Sequence, residues 1–154
     1  MNFLKKTTIF FYINIILSQL AIYEEPLSKK HPINTNLIDI YSFDEVIQLE
    51  CIQTPTNQTI CQAAVEFNTK KPYSLELNIN KKLNRSKIFI IDYNNKNLFK
   101  GPYDLVNNKV ISKQINSNSI IIELNTNKYI ETAKIELKII PNQKQKLYKQ
   151  KNTF

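Results

Sequence analysis

Apolar and polar residues alternate with a period of two through most of this chain, the spacing that sends successive side chains to opposite faces of a β-strand. Ile47, Leu49 and Cys51 alternate with Gln48 and Glu50, and Cys61, Ala63, Val65 and Phe67 with Gln62, Ala64 and Glu66. Tyr73, Leu75, Leu77 and Ile79 alternate with Ser74, Glu76 and Asn78; Ile135, Leu137 and Ile139 alternate with Lys134, Glu136 and Lys138. Each set reads as a half-buried strand. The run Ile88-Phe89-Ile90-Ile91 is apolar without a break, which suits a strand covered on both sides. Residues 110–115 and 120–124 add two more strands, and Pro141 ends the last one. About eight short strands at this spacing, without a convincing amphipathic helix or an internal repeat, give the expected fold class: all-β, a single antiparallel β-sandwich.

Turn-forming residues fill the gaps. Residues 53–59 form a polar connection of hairpin type, Lys71-Pro72 is a break, and residues 81–86 are a polar link. Asp92-Tyr93-Asn94-Asn95-Lys96-Asn97 supplies side chains that bond to their own backbone, so a hairpin turn is expected there. Leu98-Phe99 begins the return strand, and Gly101-Pro102-Tyr103 is expected to end it. Gly101 is the chain's one glycine and precedes a proline, which reads as a backbone corner. A phosphate-cradling loop would need several glycines opening a helix. Asp92, Gly101, Pro102 and Tyr103 are therefore taken as structural turn residues.

The ends differ from the middle. Residues 1–21 carry Lys5-Lys6 and then an apolar run from Thr7 to Leu17 broken by Asn14, the layout of a secretory signal peptide. That run is short for a bilayer span of ~20 residues. Cutting after Ser18 or Ala21 would put a small residue at the last position, but Ile16 or Gln19 two residues earlier is not small, so the sequence singles out no cleavage site; an uncleaved anchor is the alternative. Residues 22–43 mix Pro26 and Pro32 with charges and read as an extended leader; residues 44–141 form the β-sandwich domain, and residues 142–154 a basic tail. A chain of 154 residues with 42% apolar content is enough for one core.

The formal charge of +8 points toward anionic partners, but the lysines are scattered or lie in the two ends, and Arg85 is the one arginine. No stretch interleaves arginines with aromatics as a reader of bases would, so no nucleic-acid partner is expected. Weak contact of the basic tail with an anionic surface is the alternative use of this charge.

Little here points to chemistry. His31, the sole histidine, sits between Lys30 and Pro32 in the leader, away from companion ligands, so neither a serine-nucleophile triad nor an imidazole metal site is expected. Asp92, Asp104 and Glu123 fall at expected strand ends, and nothing places two of them together. Asp92, Asn94, Asn95 and Asp104 carry oxygens suited to calcium, but turn formation explains them without an ion. No cofactor and no metal are expected. Cys51 and Cys61 lie at the base of one hairpin on the apolar side of their strands. In an exported protein they read as a disulfide, with two buried thiols as the alternative. Sequons at Asn57 and Asn84 are explained by the abundance of asparagine.

The segment 87–124 runs from a strand ending in Ile91-Asp92 through a short turn, Gly101-Pro102-Tyr103, Asn107-Asn108 and a polar strand to Ile120-Ile121-Ile122-Glu123-Leu124. In this order it resembles the non-catalytic N-terminal β-domain that precedes the chymotrypsin-like domain in secreted bacterial lysyl-endopeptidase-type serine proteases. Residues 61–80 would match the strands before it. Where the family commonly carries Gly-Asp this chain has Asn116-Ser117-Asn118-Ser119, and none of the matching positions is catalytic. The resemblance implies a non-enzymatic accessory module, stand-alone or truncated, of an exported protease system. Its implied partner is a secreted serine protease or another extracellular protein. An exported adhesion or surface-binding protein, using a basic face and the tail, is the competing expectation.

Overall fold

The computed structural model describes residues 24–68, 72–81, 83 and 85–141. The signal segment expected over residues 1–21 and the basic tail expected over residues 142–154 lie outside the described residues. The strands are β1 (Leu37–Ile40), β2 (Asp44–Gln53), β3 (Thr59–Phe67), β4 (Tyr73–Ile79), β5 (Lys87–Asp92), β6 (Phe99–Asp104), β7 (Lys109–Ile111), β8 (Ser119–Thr126) and β9 (Thr132–Pro141). The fold is all-β, an antiparallel sandwich. One strand departs from the antiparallel rule, since β1 pairs with β3 in parallel, Leu37 opposite Ala64 and Ile40 opposite Phe67.

A single hydrogen-bonded path, β6-β5-β8-β3-β2-β9-β4-β7, runs through both layers. The strand that changes layers is β2. Its first part, Asp44 to Glu50, pairs with β9, and its end, Glu50 to Gln53, pairs with the start of β3. A strand that switches sheets makes a corner of this kind. Between the layers lies one core, formed by the period-two positions: Ile47 and Leu49, Cys61 to Phe67, Tyr73 to Ile79, Ile88 and Ile90, Ile120 to Leu124, and Ala133 to Ile139. Tyr73 meets Phe67 edge-on within it, ring centroids 5.2 Å apart.

In β4 and β9 the intervening residues are partly or fully exposed, as alternation requires. In β3 and β8 Gln62, Ala64, Ile121, Glu123 and Asn125 are buried as well, while Glu66 at the far end of β3 stays exposed. The cover on that outer face is the chain's own N-terminal segment. Residues 27–29 form one 3₁₀ turn, Leu27 and Ile33 pack on Ile60, and the chain then enters β1. The stretch expected as an extended leader thus supplies both a strap over one sheet and a strand in it. Farther along the same face, Ala64, Phe89, Ile91 and Ile121 form a second apolar cluster with Tyr93 and Phe99 against it.

Two strand boundaries need correction. Strand β6 does not end at Gly101-Pro102-Tyr103 but runs through it to Asp104, with the register against β5 slipping between Ile88 and Ile90. The expected strand over 110–115 shortens to β7; Ser112 Oγ accepts the Leu75 N–H at 2.9 Å, and Ile115 returns to bridge Tyr73. Side-chain and isolated backbone bonds replace the ladder there.

Gly101 marks the slip in β6. Its φ is +121°, and an added Cβ would lie 2.7 Å from the Ile88 carbonyl oxygen, a backbone atom that cannot step aside. Gly101→Ala is expected to cost about 1–3 kcal/mol through this conformation and overlap. Urea denaturation checks it, and an unchanged midpoint would contradict the account of β6.

Candidate functional site

The pairing places the connections at two ends of the sandwich. One end gathers the β1–β2, β3–β4, β5–β6 and β7–β8 connections; the other gathers β2–β3, β4–β5, β6–β7 and β8–β9. At the first end three large hydrophobic side chains stand in solvent: Tyr41 at 80% exposure, Phe43 at 59% and Leu98 at 60%. Beside Leu98 the two layers part to leave an open cleft of about 570 Å³. Ile90, Ile115 and Ile120 give it apolar walls from the edge of the core, and Asp92 and Lys100 a charged rim. Asn118, next to the cleft wall, shares a smaller hollow of about 290 Å³ with Tyr41. The Tyr41 hydroxyl donates to Asp39 Oδ2 at 3.3 Å, and the carboxylate beside it holds the phenol above its ordinary range.

A buried tyrosine braces the frame under this end. Tyr73 donates its hydroxyl to the Ser117 carbonyl at 2.7 Å, which ties the cleft wall to β4. Burial pushes the Tyr73 phenol well above its ordinary value. At alkaline pH the folded protein keeps this proton after the unfolded chain has lost its own, so stability falls as pH rises beyond about 10. Tyr73→Phe is expected to cost about 1 kcal/mol at neutral pH and to make that alkaline decline shallower. Denaturation series at pH 8 to about 11 test it, and an unchanged alkaline slope would contradict it.

The second concentration of polar groups is under the strap. Gln62 and Glu123 face each other across the β3–β8 ladder, and Asn125 follows on the same face of β8; all three are buried. Glu123 accepts the Ser28 N–H at 3.3 Å, the Ser28 hydroxyl, and Gln62 Nε2 at 2.6 Å. Glu123 was expected near a strand end. It lies inside β8, with its neighbours Ile122 and Leu124 turned into the core. A lone carboxylate within an otherwise apolar run, Ile120 to Leu124, was the signal available for this.

Cys51 and Cys61 are directly opposite in the β2–β3 hairpin and form a disulfide, Cα atoms 4.0 Å apart. Asp92 Oδ1 accepts the N–H groups of Asn94 and Asn95, each at 2.9 Å, which closes the β5–β6 turn. Pro102 follows Gly101 through a cis peptide bond. Tyr103 packs against the core edge and its hydroxyl oxygen accepts the Lys113 N–H at 3.1 Å; burial raises its phenol above the ordinary range. Asp104 pairs with Lys87, away from the Asp92 turn. The oxygens considered for calcium are thereby divided between a turn and an ion pair. Among the described residues no three His, Cys, Asp or Glu side chains gather as metal ligands. His31 stays in the strap, where its N–H donates to the Leu27 carbonyl at 3.0 Å.

The outer face of the layer formed by β2, β9, β4 and β7 is mixed in sign rather than basic. Asp44 is opposite Lys138, and Lys138 opposite Glu76. Lys109 Nζ lies 2.9 Å from Glu76, and that bond holds the Glu76 carboxyl below its ordinary range. Among the described residues no helix is long and apolar enough to cross a membrane. No protein-family model matches this chain, and no curated protein matches it either.

Proposed function

We propose that the chain is an exported, non-enzymatic β-sandwich module that binds another extracellular protein through the end carrying Tyr41, Phe43 and Leu98. The observation that carries this reading is the coincidence of three exposed large hydrophobic side chains with an apolar-walled cleft at one end of the sandwich. Loop ends on a rigid sandwich are common binding surfaces, and such a cleft suits an apolar anchor side chain from a partner. The Cys51–Cys61 disulfide fits an oxidising compartment. The resemblance of residues 87–124 to protease accessory domains favours a secreted serine protease as the partner class.

A pull-down from culture supernatant tests it with two variants. Leu98→Asp sets a charge at the cleft mouth and is expected to lose the partner. Val106→Asp alters a similarly exposed residue at the opposite end and is expected to keep it. A partner retained by Leu98→Asp, or lost equally by both variants, would sink the reading.

A further inference from the structure

The strip beneath the strap holds more hydrogen-bonding capacity than the strap uses. Among the described residues the donors to Glu123, from Ser28 and Gln62, are all neutral, although Glu123 is fully buried. The ion pairs among the described residues are Lys29–Glu25, Lys87–Asp104 and Lys109–Glu76, and none reaches it. A carboxylate taken out of water without a cation is costly. Beside it, Gln62 Oε1 and both amide atoms of Asn125 have no hydrogen-bond partner among the described residues. Asn125 is itself fully buried. The two oxygens of Glu123, one of Gln62 and one of Asn125 therefore lie along one strip of two adjacent strands.

We propose that this strip is a receptor for an arginine side chain carried on an extended segment of a partner protein, and that residues 26–33 hold it closed in cis as a stand-in ligand. A guanidinium offers five donors in a planar fork, enough for both carboxylate oxygens and the neighbouring carbonyl oxygens, and it brings the missing positive charge. Ser28 brings only a hydroxyl and its backbone N–H. The lysine that follows it is engaged elsewhere: Lys29 Nζ sits 4.6 Å from the Phe99 ring centroid and 3.4 Å from Glu25. Leu27 and Ile33 on Ile60 show the kind of flanking residue the face accepts, an aliphatic side chain on either side of the polar group. The strip lies on a sheet face, separate from the Leu98 cleft, so it stands or falls independently of the loop-end reading.

Three synthetic peptides test the proposal, each with the sequence of residues 26–33: one unchanged, one with Ser28→Arg, and one with citrulline at that position. Binding is read by fluorescence polarisation against the full chain as wild type, Ser28→Asp, and Ser28→Asp with Glu123→Gln. The arginine peptide is expected to bind Ser28→Asp about tenfold or more tighter than the citrulline peptide, and Glu123→Gln is expected to erase that preference. In the wild type, excess arginine peptide is expected to speed hydrogen exchange at the Ser28 amide, a readout that serves where Ser28→Asp does not fold. Equal binding of the arginine and citrulline peptides, a preference that survives Glu123→Gln, or an unchanged Ser28 exchange rate overturns the proposal.

Discussion

Ser28→Asp is expected to destabilise the protein by about 3–5 kcal/mol at neutral pH, the cost of leaving a buried charge without compensation. In the folded protein the Ser28 hydroxyl and N–H both point at the Glu123 carboxylate, which is closed off from solvent. A second carboxylate there removes a donor and adds repulsion. The chain can escape by lifting the strap, which exposes Leu27, Ile33 and Ile60; fully exposing one such side chain forfeits about 1.5–3 kcal/mol. Ser28→Ala loses only a hydrogen bond to a charged group, about 1.5–3 kcal/mol. Urea denaturation separates the two variants, and trypsin gives a structural check. Cleavage after Lys29 or Lys30 is expected to be fast in Ser28→Asp and slow in the wild type. Equal stability and equal resistance in all three proteins would mean that the strap does not cover the sheet.

Replacing Cys51 and Cys61 together by alanine is expected to cost about 2–3 kcal/mol, because the crosslink closes the β2–β3 loop in the unfolded chain. The two residues are 10 apart in sequence and directly opposite in the ladder. Their position gives the bond a second consequence. It lies where β2 leaves its pairing with β9 and joins β3, so it pins the corner through which the two sheets connect. Reduction of the wild type is expected to match the double variant in denaturant midpoint. A reduced protein as stable as the oxidised one would contradict this.

Most of the sandwich was legible in the sequence because a period of two with one solvated face leaves little freedom. β4 and β9 show this most clearly: Tyr73 to Ile79 and Ala133 to Ile139 place every second side chain in the core. The pattern also located β3 but mistook its outer face for a solvated one, since Gln62 and Ala64 look like the polar side of a half-buried strand. Their burial comes from the strap, whose own sequence has no period because one short turn, two aliphatic contacts and the Ser28–Glu123 bonds hold it. β1 was hidden for a related reason: its four residues pair in parallel along β3, and three of them remain exposed. At the loop end, Asp92 was visible as a turn residue and Leu98 as the start of the return strand. Their shared cleft was not, because it depends on how far the 115–117 segment stands from β5, a separation set by the Tyr73–Ser117 bond and the Tyr73–Ile115 bridge.

The claim that this module binds a protein through its loop end is tested most directly by hydrogen–deuterium exchange of the full chain with and without the partner captured from culture supernatant. Protection is expected at residues 41–43, 94–98 and 115–118, with residues 54–58 and 105–108 at the opposite end unchanged. Protection confined to that opposite end, or to the outer face of β9 and β4, would contradict it.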